Sequence, residues 1–218
     1  MKILLSSAAL ILSAAPLYAQ QFTGGELGFE YNQFVDDDSI NGTNYHLGAE
    51  MAFNRSFSIA ANVQNLDFEG DDTSATLHGI YHLNETSSLG VFVAGNGDEQ
   101  TSFGFEGGTE LWKGDIGGYI GQVDVDGETA VIFGLSSNTP IGANFSVFSD
   151  LDFVADDDVA VSTQELGVEY NITGGADIFA QVGQAEVFTD FGSDAETYVG
   201  IGARIQFGAA RGTTFEAR

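Results

Sequence analysis

The sequence contains no cysteine, two prolines, and six lysine and arginine residues against 32 aspartates and glutamates. Each shortage closes a route. Without cysteine there is no disulfide framework, so the fold has to rest on packing, backbone hydrogen bonding or a membrane. A formal net charge of −26 argues against nucleic acid as a partner, because an acidic surface repels a phosphate backbone. Long apolar runs are missing too. The nearest, Ile3 to Ala15, falls short of the roughly 20 residues that a membrane helix needs. It follows Lys2 and precedes the small Ala19, the pattern of a secretory signal peptide with cleavage expected after Ala19. Losing Lys2 with residues 1–19 takes the net charge from −26 to −27.

What remains is rich in glycine (29 residues) and aromatics (12%), a composition that fits an all-β chain. Hydrophobic residues at 43% can bury surface, which acidic disordered tails cannot do. The length suits one domain. Apolar residues then recur two apart almost continuously, the period of a strand with one apolar face. Leu27, Phe29 and Tyr31 begin it; Tyr45 to Phe53, Phe57 to Val63 and Ala75 to Leu83 follow. The series continues through Leu89 to Val93, Phe103 to Leu111, Ile116 to Ile120, and Val131 to Leu135. Phe145 to Phe153, Leu166 to Ile172, Ile178 to Val182 and Val199 to Phe207 complete it. Twelve segments result, with ten or fourteen also open. The phase is ambiguous between Gly117 and Val123, and Leu66 and Phe68 predict a bulge.

The connections between segments separate a soluble sandwich from a membrane barrel. Odd-numbered connections, such as "VDDDSING", "VADDDV" and "VFTDFGSDAE", hold more than half of the acidic residues and no lysine or arginine. Even-numbered ones, such as "NRS", "KGD" and "TGG", are short and nearly uncharged. Arg55 and Lys113 lie in them, Arg204 lies toward the end of the last segment, and Arg211 and Arg218 follow it. In an antiparallel meander, alternate connections lie at opposite ends. The chain therefore has one acidic rim with longer loops and one neutral-to-basic rim with short turns, as if built across a boundary.

That pattern, with an even strand number and the terminal "GARIQF", resembles the porin-like outer-membrane β-barrel proteins of Gram-negative bacteria. The resemblance implies a closed antiparallel up-and-down transmembrane barrel over residues 20–207, preceded by the signal peptide and followed by a periplasmic tail, 208–218. It implies that Gly202, Ile205 and Phe207 form a barrel-assembly signal read by the assembly machinery, although here residues follow the final aromatic. Closure is also what physics requires, since an open edge in hydrocarbon leaves amides unpaired at several kcal/mol each. Trp112, Phe53, Leu83 and Leu111 fall near the short-turn end and Tyr31, Tyr45, Phe68 and Phe153 near the acidic end, as interfacial girdles require.

The opposite face of the strands supplies the candidate pore lining: Glu26, Glu30, Glu50, Glu106, Glu110 and Glu169, with Asp150 and Asp152, against one cation, Arg204. So many carboxylates require water or partners. Inward glycines, including Gly28, Gly48, Gly104, Gly167, Gly200 and Gly202, leave room for it. The expected function is a porin-like channel for passive diffusion of small solutes, cationic or neutral by preference. A structural or adhesive barrel without conduction and an exported soluble β-protein are the alternatives. Arg204 is expected near Glu26 or Glu30 once the barrel closes.

No enzyme, cofactor or metal is expected. His46, His78 and His82 all point inward; Ser58 or Ser146 would have to serve a triad, and His78 and His82 are some 13 Å apart along a strand, too far to share one metal. Expected partners are outer-membrane lipid, lipopolysaccharide, the assembly machinery and small solutes. The triple aspartates at Asp36–Asp38 and Asp156–Asp158 lack EF-hand spacing but invite divalent cations.

Overall fold

A computed structural model of the chain describes residues 21–36, 40–67, 71–97, 100–125 and 127–208. The expected signal peptide, Asp37, Asp38, Phe68 and residues 209–218 lie outside them. Twelve strands follow one another: β1 (Gln21–Phe34), β2 (Asn41–Ala52), β3 (Phe57–Asp67), β4 (Asp71–His82), β5 (Ser87–Asn96), β6 (Thr101–Leu111), β7 (Gly114–Val125), β8 (Glu128–Pro140), β9 (Phe145–Ala155), β10 (Val159–Thr173), β11 (Ala176–Thr189) and β12 (Gly192–Gly208). Each pairs antiparallel with its neighbour in sequence, and β1 pairs with β12 from Gly24↔Gly208 to Phe34↔Tyr198, closing the sheet into a barrel. Along the closed span no edge is left, so each strand there has a hydrogen-bonded neighbour on both sides.

Strands of 10 to 17 residues are long enough to cross a bilayer on a tilt, which takes about 9 to 11. The apolar set faces out, as its alternation predicts: Leu27, Leu47, Val63, Leu89, Phe105, Leu135, Leu166 and Ile201 are all exposed. In water such a surface would be untenable. In lipid it is the favourable face. The ambiguous stretch resolves because β7 must match β6: Ile116 opposes Thr109 and Ile120 opposes Phe105, so both face out and Gly117, Tyr119 and Gly121 face in.

Outward aromatics pair across strands. Phe57 meets Tyr81 at 5.0 Å between centroids, Phe145 meets Tyr170 at 4.9 Å and Phe22 meets Phe207 at 6.1 Å, all toward the short-turn end. Trp112 extends this belt from the β6–β7 turn, 95% exposed and held at φ 62, a left-handed conformation that bulky residues seldom adopt.

Two expectations fail. Pairing runs through Leu66 without a shift, placing it inward opposite Asn44; the register shifts instead at Phe22/Gly24 and Asn171/Thr173. Several acidic connections are also shorter than read, because acids such as Asp67, Asp71, Asp124 and Glu128 belong to the strands. "VFTDFGSDAE" is almost wholly β11 and β12, joined by the two residues Asp190 and Phe191. Beyond the last β1 partner, Tyr198, β12 runs on from Gly192 to Thr197 paired only with β11. Pairing with β11 satisfies one side of this extension; on the other, Val35 N–H reaches the Thr197 carbonyl and the remainder meets water, as do the exposed side chains of Asp194 and Glu196. The connection between β1 and β2 spans residues 35–40, and the others are shorter.

Candidate functional site: the barrel interior

The inward residues of β2 to β6 bury one another. His78 sits between Glu106 and Asn62, with Nδ1 2.7 Å from Glu106 Oε1 and Nε2 2.9 Å from Asn62 Nδ2. An amide N–H can only donate, so Nε2 accepts and the ring presents its Nδ1–H to the carboxylate. His82 places Nε2 2.8 Å from Ser58 Oγ and Nδ1 2.9 Å from Ser88 Oγ, with Glu50 at 3.6 Å. Exposure falls to 0% at His78, 1% at Ser88 and 2% at Ile80, and Phe92, Ala60, Thr76, Glu50 and Glu106 are also buried. These side chains form a polar wedge with an apolar filling. Hydrogen bonds offset part of the desolvation of its polar groups, although Glu50 Oε1, 3.6 Å from His82 Nε2, accepts no hydrogen bond among the described residues.

A second network spans the closure seam. Arg204 on β12 pairs with Glu169 on β10 and lies 3.7 Å from Glu26 on β1. Glu26 also meets His46 Nε2 at 2.9 Å and accepts from Gln206 at 2.8 Å. The seam pairing with Glu26 is thus found. Glu30 is not part of it: Asn32 and Gln181 donate to its carboxylate, the latter at 2.8 Å. Glu169 enters unforeseen, because it reaches Arg204 across the intervening β11.

The wall from β7 to β10 is more open. Tyr119 and Asp150 are half-buried and Asp152 is exposed, although all three face inward. The Tyr119 hydroxyl donates to Asp152 Oδ1 at 2.7 Å by crossing Gly134. Glu165 accepts from the Tyr198 hydroxyl at 2.5 Å.

That crossing is a recurrent device. The Tyr198 ring covers Gly183, Phe179 covers Gly202, Phe148 covers Gly167, Phe92 covers Gly104 and His46 covers Gly28. A Cβ on any of these glycines would collide with the side chain that lies over it. Glycines expected to leave room for water instead give floor space to rings from the next strand. The interior is narrower than the glycine count implies, and this is a correction to the sequence reading.

The sequence-derived candidates therefore divide. Glu50 and Glu106 lie in the wedge; Glu26, Glu169 and Arg204 in the seam; Glu30 beside it; and Glu110, opposite Asp115, is exposed at the short-turn mouth. Tyr119, Tyr198, Gln181 and Asn62 were missed, because alternation assigns a face but not a partner. Ser58 does reach a histidine, but His82 Nδ1 meets a hydroxyl where a triad needs a carboxylate, and Ser58 is 3% exposed. Ser146 lies opposite Glu169 and Pro140, away from these rings. Among the described residues, no group of three or more histidines, aspartates or glutamates is arranged to hold a metal ion.

A closed antiparallel barrel, apolar outside and polar inside, is the architecture of outer-membrane β-barrels. Solved members of that class share the fold at low sequence identity. The chain is similar to the NanC porin (8% identity, TM-score 0.60, covering 83% of this chain and 98% of that one) and to the KdgM porin (10%, 0.59, 84% and 99%). It is also similar to an anion-selective porin from Comamonas acidovorans (9%, 0.50, 86% and 100%). No family model matches the sequence, and no curated protein matches it. The likeness is one of fold, and it is to outer-membrane porins.

Proposed function

We propose that this chain is an outer-membrane channel for passive diffusion of small solutes, cationic or neutral by preference, and not an enzyme. One observation carries the reading: inward carboxylates, among them Glu26, Glu30, Asp150, Asp152 and Glu165, keep contact with water, while Arg204 is the one inward lysine or arginine among the described residues. An acidic wall concentrates cations and repels anions, more strongly at low salt. A barrel of like fold is anion-selective, so fold does not set the sign; the charges on the wall do. Reversal potential across a KCl gradient in planar bilayers tests this. Cation preference is expected, and anion preference would overturn the selectivity while leaving the channel.

The buried wedge favours a second reading, a structural barrel that does not conduct, with its acidic rim facing outward. Absence of current from protein that shows heat-modifiable migration would select it.

Residues 1–19 are proposed as the signal peptide, and Gly202, Ile205 and Phe207 as the signal read by the assembly machinery. Phe207 stacks on Phe22 of β1 and Ile205 opposes Leu27, so the signal residues also make the closing seam. Phe207→Asp should impair insertion by placing a charge on the lipid face, whereas removal of residues 208–218, the proposed periplasmic tail, should leave a folded barrel. The acidic rim is proposed to meet lipopolysaccharide through divalent cations.

A further inference from the structure

We propose that the solute path does not follow the barrel axis but runs eccentrically along the β7–β10 wall, past Tyr119, Ser136, Phe148, Asp150, Asp152 and Glu165, with the β2–β6 wedge as its opposite bank. The inference rests on the channel reading above and specifies its course.

The inward carboxylates Asp150, Asp152 and Glu165 on this wall keep water contact, whereas the cluster of Ser58, His78, Ser88 and Glu106 facing it from β3 to β6 is closed off. His78, Ser88, Ser58, Glu106 and Glu50 are at most 6% exposed, and their polar atoms turn toward one another. A hydrated ion cannot pass among them without breaking those contacts. On the other wall, Asp152 is exposed and Asp150, Ser136, Phe148, Glu165 and Tyr119 are each half-buried. Asp150 lies between Ser136 of β8 and Glu165 of β10, and Asp152 between Gly134 and Thr163, so the two aspartates form adjacent rungs along the direction of travel. The Tyr119 ring, bound to Asp152, and Phe148 supply apolar faces beside the carboxylates. Selectivity therefore belongs to Asp150 and Asp152 and not to Glu50 or Glu106.

The natural absence of cysteine makes the test clean. Single variants Asp150→Cys, Asp152→Cys, Ser58→Cys and Ser88→Cys would be reconstituted and exposed to a positively charged methanethiosulfonate reagent during current recording. Heat-modifiable migration would confirm that each is folded. Modification at 150 and 152 should cut the current severalfold, and modification at 58 and 88 should leave it unchanged. Separately, Asp150→Asn with Asp152→Asn should lower the cation-to-anion permeability ratio by roughly twofold or more at low salt. Equal block at Ser58→Cys or Ser88→Cys would overturn the eccentric path, as would a double asparagine variant with unchanged selectivity. A folded wild-type barrel that passes no current would overturn the channel reading itself, and the path with it.

Discussion

In the wedge of Ser58, His78, Ser88 and Glu106 the inward side chains are turned toward each other and shut off from solvent, whereas on β8 to β10 Ser136, Asp150, Asp152 and Glu165 stand in reach of water. Both walls obey the same alternation and both are acidic. They differ in what lies beside each carboxylate. Glu106 faces an imidazole at 2.7 Å, and Glu50 has His82 nearby; Asp152 has only a phenol donor among the hydrogen bonds found here, and Asp150 neighbours Ser136 and Glu165. Where bases and amides accompany the acids, the wall closes on itself. Where hydroxyls and further acids do, the carboxylates keep contact with water.

Substitution can break this contrast, most severely at the wedge. His78→Leu takes from Glu106 its Nδ1–H donor in a fully buried site, and stripping a hydrogen bond from a buried charged group typically costs about 3 kcal/mol. Urea unfolding in detergent micelles should show a loss of that order. Loss below 1 kcal/mol would mean that the wedge is wet. Arg204→Gln strips the seam cation from Glu26 and Glu169, but its side chain keeps 21% exposure, so a smaller loss of about 1–3 kcal/mol is expected in the same measurement. On the open wall, Gly134→Leu puts a side chain where the Tyr119 ring lies, and overpacking of this kind costs about 1–3 kcal/mol where neighbours cannot yield. Here the ring can swing into the lumen. We therefore expect the low end of that range, together with reduced conductance.

The smallest effect is expected outside the membrane. In the β9–β10 connection, backbone N–H groups of Val159 and Asp158 bind the Asp156 carboxylate and hold it below its ordinary value of 3.8. A depressed acid contributes fully above that value, and the contribution fades as pH falls through the lowered one. Protection of the Val159 amide from exchange, relative to its intrinsic rate at each pH, should therefore fall only under strongly acidic conditions, and Asp156→Ala should abolish that dependence.

The period of two located both faces of the barrel before any coordinates, because a strand buried on one side in lipid tolerates no slip. Phe103, Phe105 and the run from Val199 to Phe207 all lie outward as read. Pairs across the seam were equally legible, since closure follows from strand count and puts Arg204 beside β1. Partners inside the lumen were not. Gln181 reaches Glu30 over 151 residues of sequence, and Tyr198 reaches Glu165 across β11, contacts set by curvature and by which neighbour has no side chain. Glycine in a strand reads as a void until the next strand is known. It is equally a seat.

Those seats carry a consequence for the bore. Beneath Phe148, Phe179, Tyr119 and Tyr198 lies bare backbone, so trimming any one of these rings to alanine would uncover a strip of wall two strands wide, with no second layer to fill the gap. The calibre of this barrel is thus adjustable in discrete steps, one ring at a time, without altering strand number. A family of such variants would form a graded sieve on a single scaffold.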